Sequence, residues 1–351
     1  MRIAQLAPLV ESVPPAGYGG TELVVSLLTE ELVRLGHQVT LFASGDSVTK
    51  SKLVSVVPDS LRQSVNGLRH RWPAYDLRSL LKLKEMISDF DVVHNHMGYQ
   101  ALPILNTFKC PVVSTNHNPV ADYCADVYAA YANLPYVSIS ESYRALNYPD
   151  LLNYVATIYN GIDVEAMPFE DDSSRKYLLF IGRICRAKGT AVAIDIATRL
   201  GLPLKIAGKV DVADKEYFEN EVKPKLSSYL IEYLGEVSSD EKAKLYAGAI
   251  ATVYPIDFDE PFGLVMAESL ASGTPVIGLN RGSVKEVVSD GRTGIIASSA
   301  DEIVKRFDEI RNFKALTCRN RARDLFSKER MVQQYEKLYK RLSLNRGSSL
   351  S

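Results

Sequence analysis

The sequence predicts an α/β protein built as two doubly wound domains in tandem, and three observations carry that expectation. The chain has 351 residues, more than one compact core usually accommodates. Short apolar runs alternate with amphipathic stretches, the pattern of parallel strands covered by helices. At 163–176 the alternation stops in an acidic, polar stretch that holds Pro168, and then it starts afresh, which marks a linker. Ligands of such sheets bind beyond the carboxyl ends of the strands, so a site in a cleft between the domains is expected.

Residues 2–7 read as a buried strand, followed by a loop at 8–18 rich in proline and glycine. A helix is expected at 21–35, with Leu23, Leu27, Leu28, Leu32 and Leu35 as its apolar stripe and Gly36 as its stop. Further strands are expected at 38–43, 91–94, 112–115, 136–140 and 155–159, with helical segments between them. After the linker come strands at 177–181, 204–207, 231–234, 251–254 and 275–277. The last helix runs over 327–344, capped by Ser327, with Met331, Tyr335, Leu338, Tyr339 and Leu342 along one side. The expected organisation is a first domain at 1–165, a second at 166–326, and a terminal helix with a disordered tail at 327–351.

Composition narrows the class. Apolar residues make up 46% and charged residues 24%, as in an ordinary soluble globular chain. A formal net charge of −1 argues against a general nucleic-acid binder. Cys110, Cys124, Cys185 and Cys318 are scattered with no CxxC spacing, which disfavours a zinc ribbon or a disulfide scaffold and suits a reducing cytosol. The chain opens directly on a strand rather than on a signal-peptide core, and no apolar run nears the ~20 residues that span a bilayer. A cytoplasmic protein is expected. The 61–86 segment carries Arg62, Arg69, Arg71, Arg78, Lys82 and Lys84 beside Trp72 and several leucines. Such a face suits an anionic acceptor or peripheral contact with lipid headgroups, although a solvated helical face explains the same residues and is preferred.

The chemistry concentrates after the strand at 251–254. Glu260 opens a loop, a helix begins near Phe262, and Gly273 ends it. Glu268 lies inside the apolar run Leu264 to Leu270, where a carboxylate is costly unless something hydrogen-bonds it. Between the two carboxylates sits a helix N-terminus with free N–H groups, a seat for an anion. From Phe262 to Glu268 a helix rises about 9 Å at ~1.5 Å per residue, which is close to the span from a sugar across a diphosphate to a ribose. Two carboxylates for hydroxyls with an anion seat between them fit a nucleotide sugar. A retaining glycoside hydrolase would want its carboxyls ~5 Å apart, closer than these two should lie.

Other candidates surround this one. Gly182 and Arg183 follow a strand, and Lys188 and Gly189 open the next helix. The two cations suit a departing diphosphate as well as they suit a solvated loop. Gly17, Gly19 and Gly20 precede the first helix without the G-x-G-x-x-G spacing of a dinucleotide loop. His94, His96 and His117 stand at strand ends facing the expected cleft, His94 and His96 as lining residues, and no cysteine or carboxylate completes a zinc set. Asp257 and Asp259 spell D-x-D, a pattern that can hold a divalent metal against a diphosphate.

Glu260 and Glu268, with Pro261, Phe262, Gly263 and Leu264 between them, resemble the Glu-x7-Glu motif of family 4 glycosyltransferases. The similarity continues over 271–278, 282–287 and 290–294. The resemblance implies the GT-B fold, two Rossmann-like domains with the donor held by the second, and a C-terminal helix that crosses back to the first. It implies that Glu260 binds the donor sugar, Glu268 the ribose, and the backbone of Phe262, Gly263 and Leu264 the sugar and phosphates. By the same resemblance Arg183 and Lys188 bind the diphosphate, and Gly19 and Gly20 form the first-domain loop facing it. His117 stands beside the sugar's reacting face, while the backbone at Gly208 and Val237 meets the base. Asn160, Gly161, Ile162 and Asp163 match the family's interdomain boundary. The implied activity is retaining transfer of a hexose from a nucleotide-diphosphate sugar to a hydroxyl, with no metal or other cofactor. UDP-glucose is the preferred donor, GDP-mannose and ADP-glucose stay open, and the acceptor is unassigned. On this reading the D-x-D is a coincidence. Two rivals share the features: a nucleotide-sugar epimerase of the same fold, and a non-catalytic nucleotide-sugar binding protein.

Overall fold

The computed structural model describes residues 1–17, 19–64, 69–169 and 175–345. The chain divides into two compact units, Met1–Gly161 together with the chain from Lys328 onward, and Ile162–Ser327.

The first unit holds a seven-stranded sheet in the order β3-β2-β1-β4-β5-β6-β7. Its strands are β1 (Arg2–Leu6), β2 (Gln38–Phe42), β3 (Lys52–Val54), β4 (Val92–Asn95), β5 (Val112–Asn116), β6 (Tyr136–Ser138) and β7 (Tyr154–Thr157). Every pairing is parallel. Every strand but β3 is buried at one position or more, and in the second unit β8 (Tyr177–Ile181) reads as a continuous apolar run because helices cover both faces. Helix α1 (Gly20–Arg34) buries Val24, Val25, Leu28 and Leu32. Helix α2 (Trp72–Glu85) turns Leu80 and Leu83 inward. The C-terminal helix (Lys328–Asn345) packs on α1 and buries Met331, Tyr335, Leu338 and Tyr339.

The second unit holds a six-stranded parallel sheet in the order β10-β9-β8-β11-β12-β13. Its strands are β8 (Tyr177–Ile181), β9 (Leu204–Ala207), β10 (Ile231–Gly235), β11 (Ala249–Tyr254), β12 (Val276–Leu279) and β13 (Gly294–Ala297). Helices α3 (Thr190–Leu200), α4 (Ser239–Ala247) and α5 (Leu264–Ala271) carry the loops of interest. In both sheets the order reverses beside the first strand of the unit, between β1 and β4 and between β8 and β11. A crevice opens at such a switch point at the carboxyl edge.

The division between the units falls at Gly161 and Ile162, ahead of the stretch expected as a linker. Residues 163–169 belong to the second unit: Val164 is buried, Glu165 pairs with Arg319 and Arg323, and the Phe169 ring lies under the Arg319 guanidinium. The rest of the expected linker, 170–174, lies outside the described residues, as does the tail at 346–351. Two strands escaped the periodicity, β3 and β13. The helix expected from Phe262 begins at Leu264.

Candidate active site

In the second unit the loops after β10, β9, β8 and β11 carry Val237, Gly208, Arg183 and the 255–263 segment in that order along the sheet edge. Lys188 precedes α3, and Glu260 stands in the loop between β11 and α5. Their side chains meet at the β8/β11 switch point: Lys188 Nζ lies 2.5 Å from Glu260 Oε2. The Tyr254 hydroxyl donates to the same oxygen at 2.6 Å. Lys188 also stands 4.7 Å from the centre of the Phe258 ring, a cation–π contact. Among the described residues Glu260 Oε1 makes no hydrogen bond. Glu260 therefore has one oxygen fixed by two donors and the other available.

The loop around Glu260 is braced from one side. Ser283 N–H donates to the Glu260 carbonyl at 3.1 Å, and Ser283 Oγ donates to the Phe262 carbonyl at 2.7 Å. Gly282 presses on Glu260 so closely that a Cβ there would lie 2.3 Å from the Glu260 nitrogen, and its φ of +48° favours glycine as well. Phe262 points inward, fully buried and edge-on to Phe326 at 5.6 Å. Only its backbone is left to meet a ligand. Gly263 caps α5 in the left-handed region, with no side chain on the N-terminal N–H groups. Leu264 and Val265, the first residues of α5, present those N–H groups.

Glu268 is buried about one turn further along α5 and held from α4. Lys242 Nζ lies 2.7 Å from its Oε1, and the fully buried Tyr246 hydroxyl donates to its Oε2 at 3.0 Å. Burial and the neighbouring carboxylate push the Tyr246 hydroxyl well above its usual range, so it stays a donor. Each Glu268 oxygen keeps a second acceptor position.

Arg183 is half exposed and faces Asp211 at 3.6 Å and Asp214 at 3.5 Å. Gly208 packs on Gly182, where a Cβ on Gly208 would fall 1.8 Å from the Gly182 oxygen. Its N–H donates to the Gly235 carbonyl and its carbonyl accepts from the Tyr233 hydroxyl at 2.9 Å, so a base resting there must use the remaining carbonyl lone pair. Val237 packs with Ile181, Ala207 and Leu234. Asp257 faces Arg281 at 3.4 Å, and Asp259 accepts from the Gly282 N–H at 3.1 Å. Among the described residues no three His, Cys, Asp or Glu side chains gather as a metal would require.

In the first unit the β1/β4 switch point holds a polar cluster. Gln5 of β1 is in register with His94 of β4, and His96 and His117 follow the ends of β4 and β5. The rings of His94 and His96 lie 3.9 Å apart, and those of His96 and His117 5.2 Å apart. His96 Nδ1 is 2.9 Å from His117 Nε2, and His96 Nε2 is 2.9 Å from Gln5 Oε1. Burial pulls the pKa of His94 and His96 well below the usual range and that of His117 down to about 4. Strand-end position suggested His94 as a lining residue, and the structure corrects this. It is fully buried, with Nδ1 at 2.6 Å from the Tyr339 hydroxyl and Nε2 at 2.7 Å from Thr115 Oγ1.

Gly19 precedes α1 in extended backbone, and Gly20 is its first residue. Tyr18 lies outside the described residues. A Cβ on Gly19 would meet the Pro15 ring at 2.7 Å and a Glu22 carboxylate oxygen at 3.2 Å. Glu22 is itself buried, and burial pushes its carboxyl up to about 7.

The basic 61–86 segment forms a short helix, Leu61–Ser64, then Arg69–Arg71 and α2, with 65–68 outside the described residues. Arg62 pairs with Glu11, Lys82 with Glu85, and Arg69 lies over Trp72. Among the described residues no helix is long and apolar enough to cross a membrane.

Residues with no expected site role complete both clusters: Tyr254, Lys242, Tyr246, Gln5, Tyr335 and Tyr339. The Tyr335 and Tyr339 positions were legible only as apolar stripe. Lys242 and Tyr246 share a helix face by their i, i+4 spacing, but nothing in that spacing names Glu268 as their partner.

Two parallel α/β sheets of seven and six strands, each with polar residues gathered at its switch point, have the GT-B fold. The comparisons agree. The family model Glycosyltransferase Family 4 matches residues 18–166, and that of Glycosyl transferases group 1 matches 165–323. The chain belongs to the family 4 glycosyltransferases and is an enzyme of that class. It is 24% identical to an uncharacterized glycosyltransferase of Methanocaldococcus jannaschii, over 92% of this chain and 94% of that one. The sucrose-phosphate synthase of Thermosynechococcus elongatus has the same fold at 19% identity, with a TM-score of 0.79 over 97% of this chain and 99% of that one. An Anabaena protein, HepE, solved in complex with UDP-glucose, has it at 16% identity and a TM-score of 0.73, over 97% of this chain and 99% of that one.

Proposed function

We propose that this glycosyltransferase moves a hexose from UDP-glucose or a similar UDP-hexose to a hydroxyl acceptor, with retention at the anomeric carbon and without a metal ion. The observation that carries the reading is the Lys188, Tyr254 and Glu260 triad beside the uncapped N-terminus of α5. Glu260 offers Oε1 to a sugar hydroxyl, while Lys188 and the α5 N–H groups offer positive charge to a diphosphate. Glu268 takes the ribose hydroxyls on its spare acceptor positions. The uracil rests on backbone at Gly208 and Val237, and UDP is favoured because the Anabaena structure of the same fold was solved with UDP-glucose.

In the transfer, the bond from the anomeric carbon to the diphosphate oxygen breaks and a bond to the acceptor oxygen forms on the same face. The acceptor's proton leaves with the diphosphate, so no protein nucleophile is needed. Lys188 and Arg183 stabilise the charge that builds on the leaving group, the role a metal plays elsewhere. Asp257 and Asp259 are engaged with Arg281 and Gly282, which favours a structural role for them. The family resemblance assigns His117 to the reacting sugar and the Gly19 and Gly20 backbone to the phosphates. The acceptor carries a hydroxyl and is otherwise unassigned. A cytoplasmic setting, with the basic 61–86 face as a peripheral membrane contact, belongs to the same proposal.

The test is turnover. UDP-glucose, UDP-galactose, GDP-mannose and ADP-glucose are each incubated with a panel of hydroxyl acceptors, with and without EDTA. Nucleotide release and the anomeric configuration of the product are then read by NMR. The expected result is a retained linkage from a UDP-sugar, unchanged by EDTA. Conversion of donor without acceptor would point to epimerisation, an inverted product would overturn retention, and loss of activity in EDTA would overturn metal independence.

A further inference from the structure

We propose that Gln5 and His96 act as positioning residues that lock His117 in its Nε2–H tautomer, so that Nδ1 meets the substrate only as a hydrogen-bond acceptor. This deepens the reading above and rests on its placement of His117 at the transfer site.

Protons can be counted along the hydrogen-bonded chain that ends at His117. Gln5 Nε2 donates to the Tyr339 hydroxyl at 3.1 Å, which commits the Gln5 amide oxygen to its other neighbour, His96 Nε2 at 2.9 Å. An amide oxygen only accepts, so His96 carries its proton on Nε2. A neutral imidazole has one N–H, and His96 Nδ1 must then accept. Its partner, 2.9 Å away, is His117 Nε2, which therefore holds the His117 proton. His117 Nδ1 is left bare, and among the described residues it makes no hydrogen bond.

The same Gln5 orientation sets the protons on the other side of it. The Tyr339 hydroxyl, having accepted from Gln5, passes its own proton to His94 Nδ1 at 2.6 Å. His94 then carries its proton on Nε2 and donates to Thr115 Oγ1 at 2.7 Å, whose hydroxyl meets that of Tyr335 at 2.9 Å. The network runs from the C-terminal helix to His117 through these hydroxyls, the Gln5 amide and the rings. Burial depresses the pKa of all three imidazoles, so near neutral pH each has one proton and the count holds.

The chemical consequence is selectivity. A bare Nδ1 accepts from a hydroxyl but has nothing to donate to a phosphate oxygen. A tautomer with Nδ1–H would do the reverse and attract the diphosphate. The lock thus assigns His117 to a hydroxyl of the sugar or the acceptor.

Labelling the histidine rings of the full chain with 15N and recording long-range 1H–15N correlations at neutral pH reads each nitrogen directly. The expected spectrum shows His117, His96 and His94 each protonated on Nε2 and bare on Nδ1. Gln5→Leu, which removes the acceptor for His96, should mix the His117 tautomers. It should lower kcat roughly tenfold while the KM for donor moves by less than about threefold. Gln5→Glu, an acceptor at the same place, should restore both the single tautomer and kcat. A merely structural network would lose stability in Gln5→Leu with kcat unchanged in the folded fraction, and that result overturns the proposal. If Gln5→Leu does not fold, the wild-type spectrum decides alone: His117 protonated on Nδ1, or mixed, overturns it. Absence of turnover with every donor sinks the functional reading, while the tautomers stay readable.

Discussion

Tyr254→Phe removes one oxygen atom from the proposed sugar site and nothing else. Tyr254 is buried, and its hydroxyl lies 2.6 Å from Glu260 Oε2, which also accepts from Lys188. The phenylalanine ring fills the same space, so no cavity opens and the cost is that of the hydrogen bond. A bond to a charged acceptor contributes about 1.5–3 kcal/mol, and Lys188 continues to hold the carboxylate, which favours the lower half, about 2 kcal/mol. For a unit of this size that is a fall in Tm of roughly 4–8 °C. Glu260 is then held by one flexible lysine rather than by two donors at one oxygen, and its free oxygen loses its fixed position. The value of kcat/KM for donor should drop roughly 10- to 30-fold, the equivalent of about 1.4–2 kcal/mol. Thermal melts and initial rates across donor concentrations read both quantities. A variant with unchanged Tm and unchanged kcat/KM would refute the claim that Tyr254 orients Glu260. A loss of stability with full activity would make Tyr254 structural only.

Three further outcomes follow from the charges. Arg183 faces Asp211 and Asp214, which compete with a diphosphate for it, so Asp214→Asn should tighten UDP binding by about two- to fivefold in a calorimetric titration; weaker binding would show that Arg183 needs the carboxylate to hold its pose. Glu22 has a carboxyl raised to about 7 by burial, so folding is favoured below its usual range and loses stability as pH rises from there to 7. Glu22→Gln should therefore raise Tm at pH 8, by the equivalent of at most about 3 kcal/mol, and change little at pH 4.5. His117, held down to about 4, works in the opposite direction. The unfolded chain takes up its proton first as pH falls through 6.5, and stability should drop by about 2 kcal/mol from this group between pH 6.5 and 5. His117→Asn should flatten that part of the pH–stability curve, and a curve of unchanged slope would count against the neutral imidazole.

Much of the fold was legible because parallel strands covered on both faces read as plain apolar runs. β8 and β9 fall where the periodicity puts them. β3 and β13 did not announce themselves. β3 is three residues at a sheet edge, none of them buried, so it carries no pattern. β13 is a four-residue run after a turn, too short to tell from a loop. Glu268 stood out because a carboxylate inside an apolar helix demands a partner. That its partners would be Lys242 and Tyr246 depends on how α4 packs on α5, which no local spacing encodes. The same holds for Gln5: on its own a polar residue in a buried strand, it takes its meaning from the parallel register that sets it opposite His94 and from a helix more than three hundred positions away. His94 was misplaced because strand-end position alone does not show that a terminal helix covers it.

On the proposed reading Glu268 holds the nucleoside and Glu260 the sugar of one donor. Calorimetric titration of UDP and UDP-glucose into the wild type, Glu260→Ala and Glu268→Ala tests it most directly, with GDP and ADP as controls. Glu268→Ala should weaken both ligands by more than about tenfold, since each loses bonds to a charged acceptor. Glu260→Ala should weaken UDP-glucose alone, leaving UDP as tight or tighter because Lys188 is released. Equal losses for both ligands in both variants, or no binding of any nucleotide to the wild type, would contradict it.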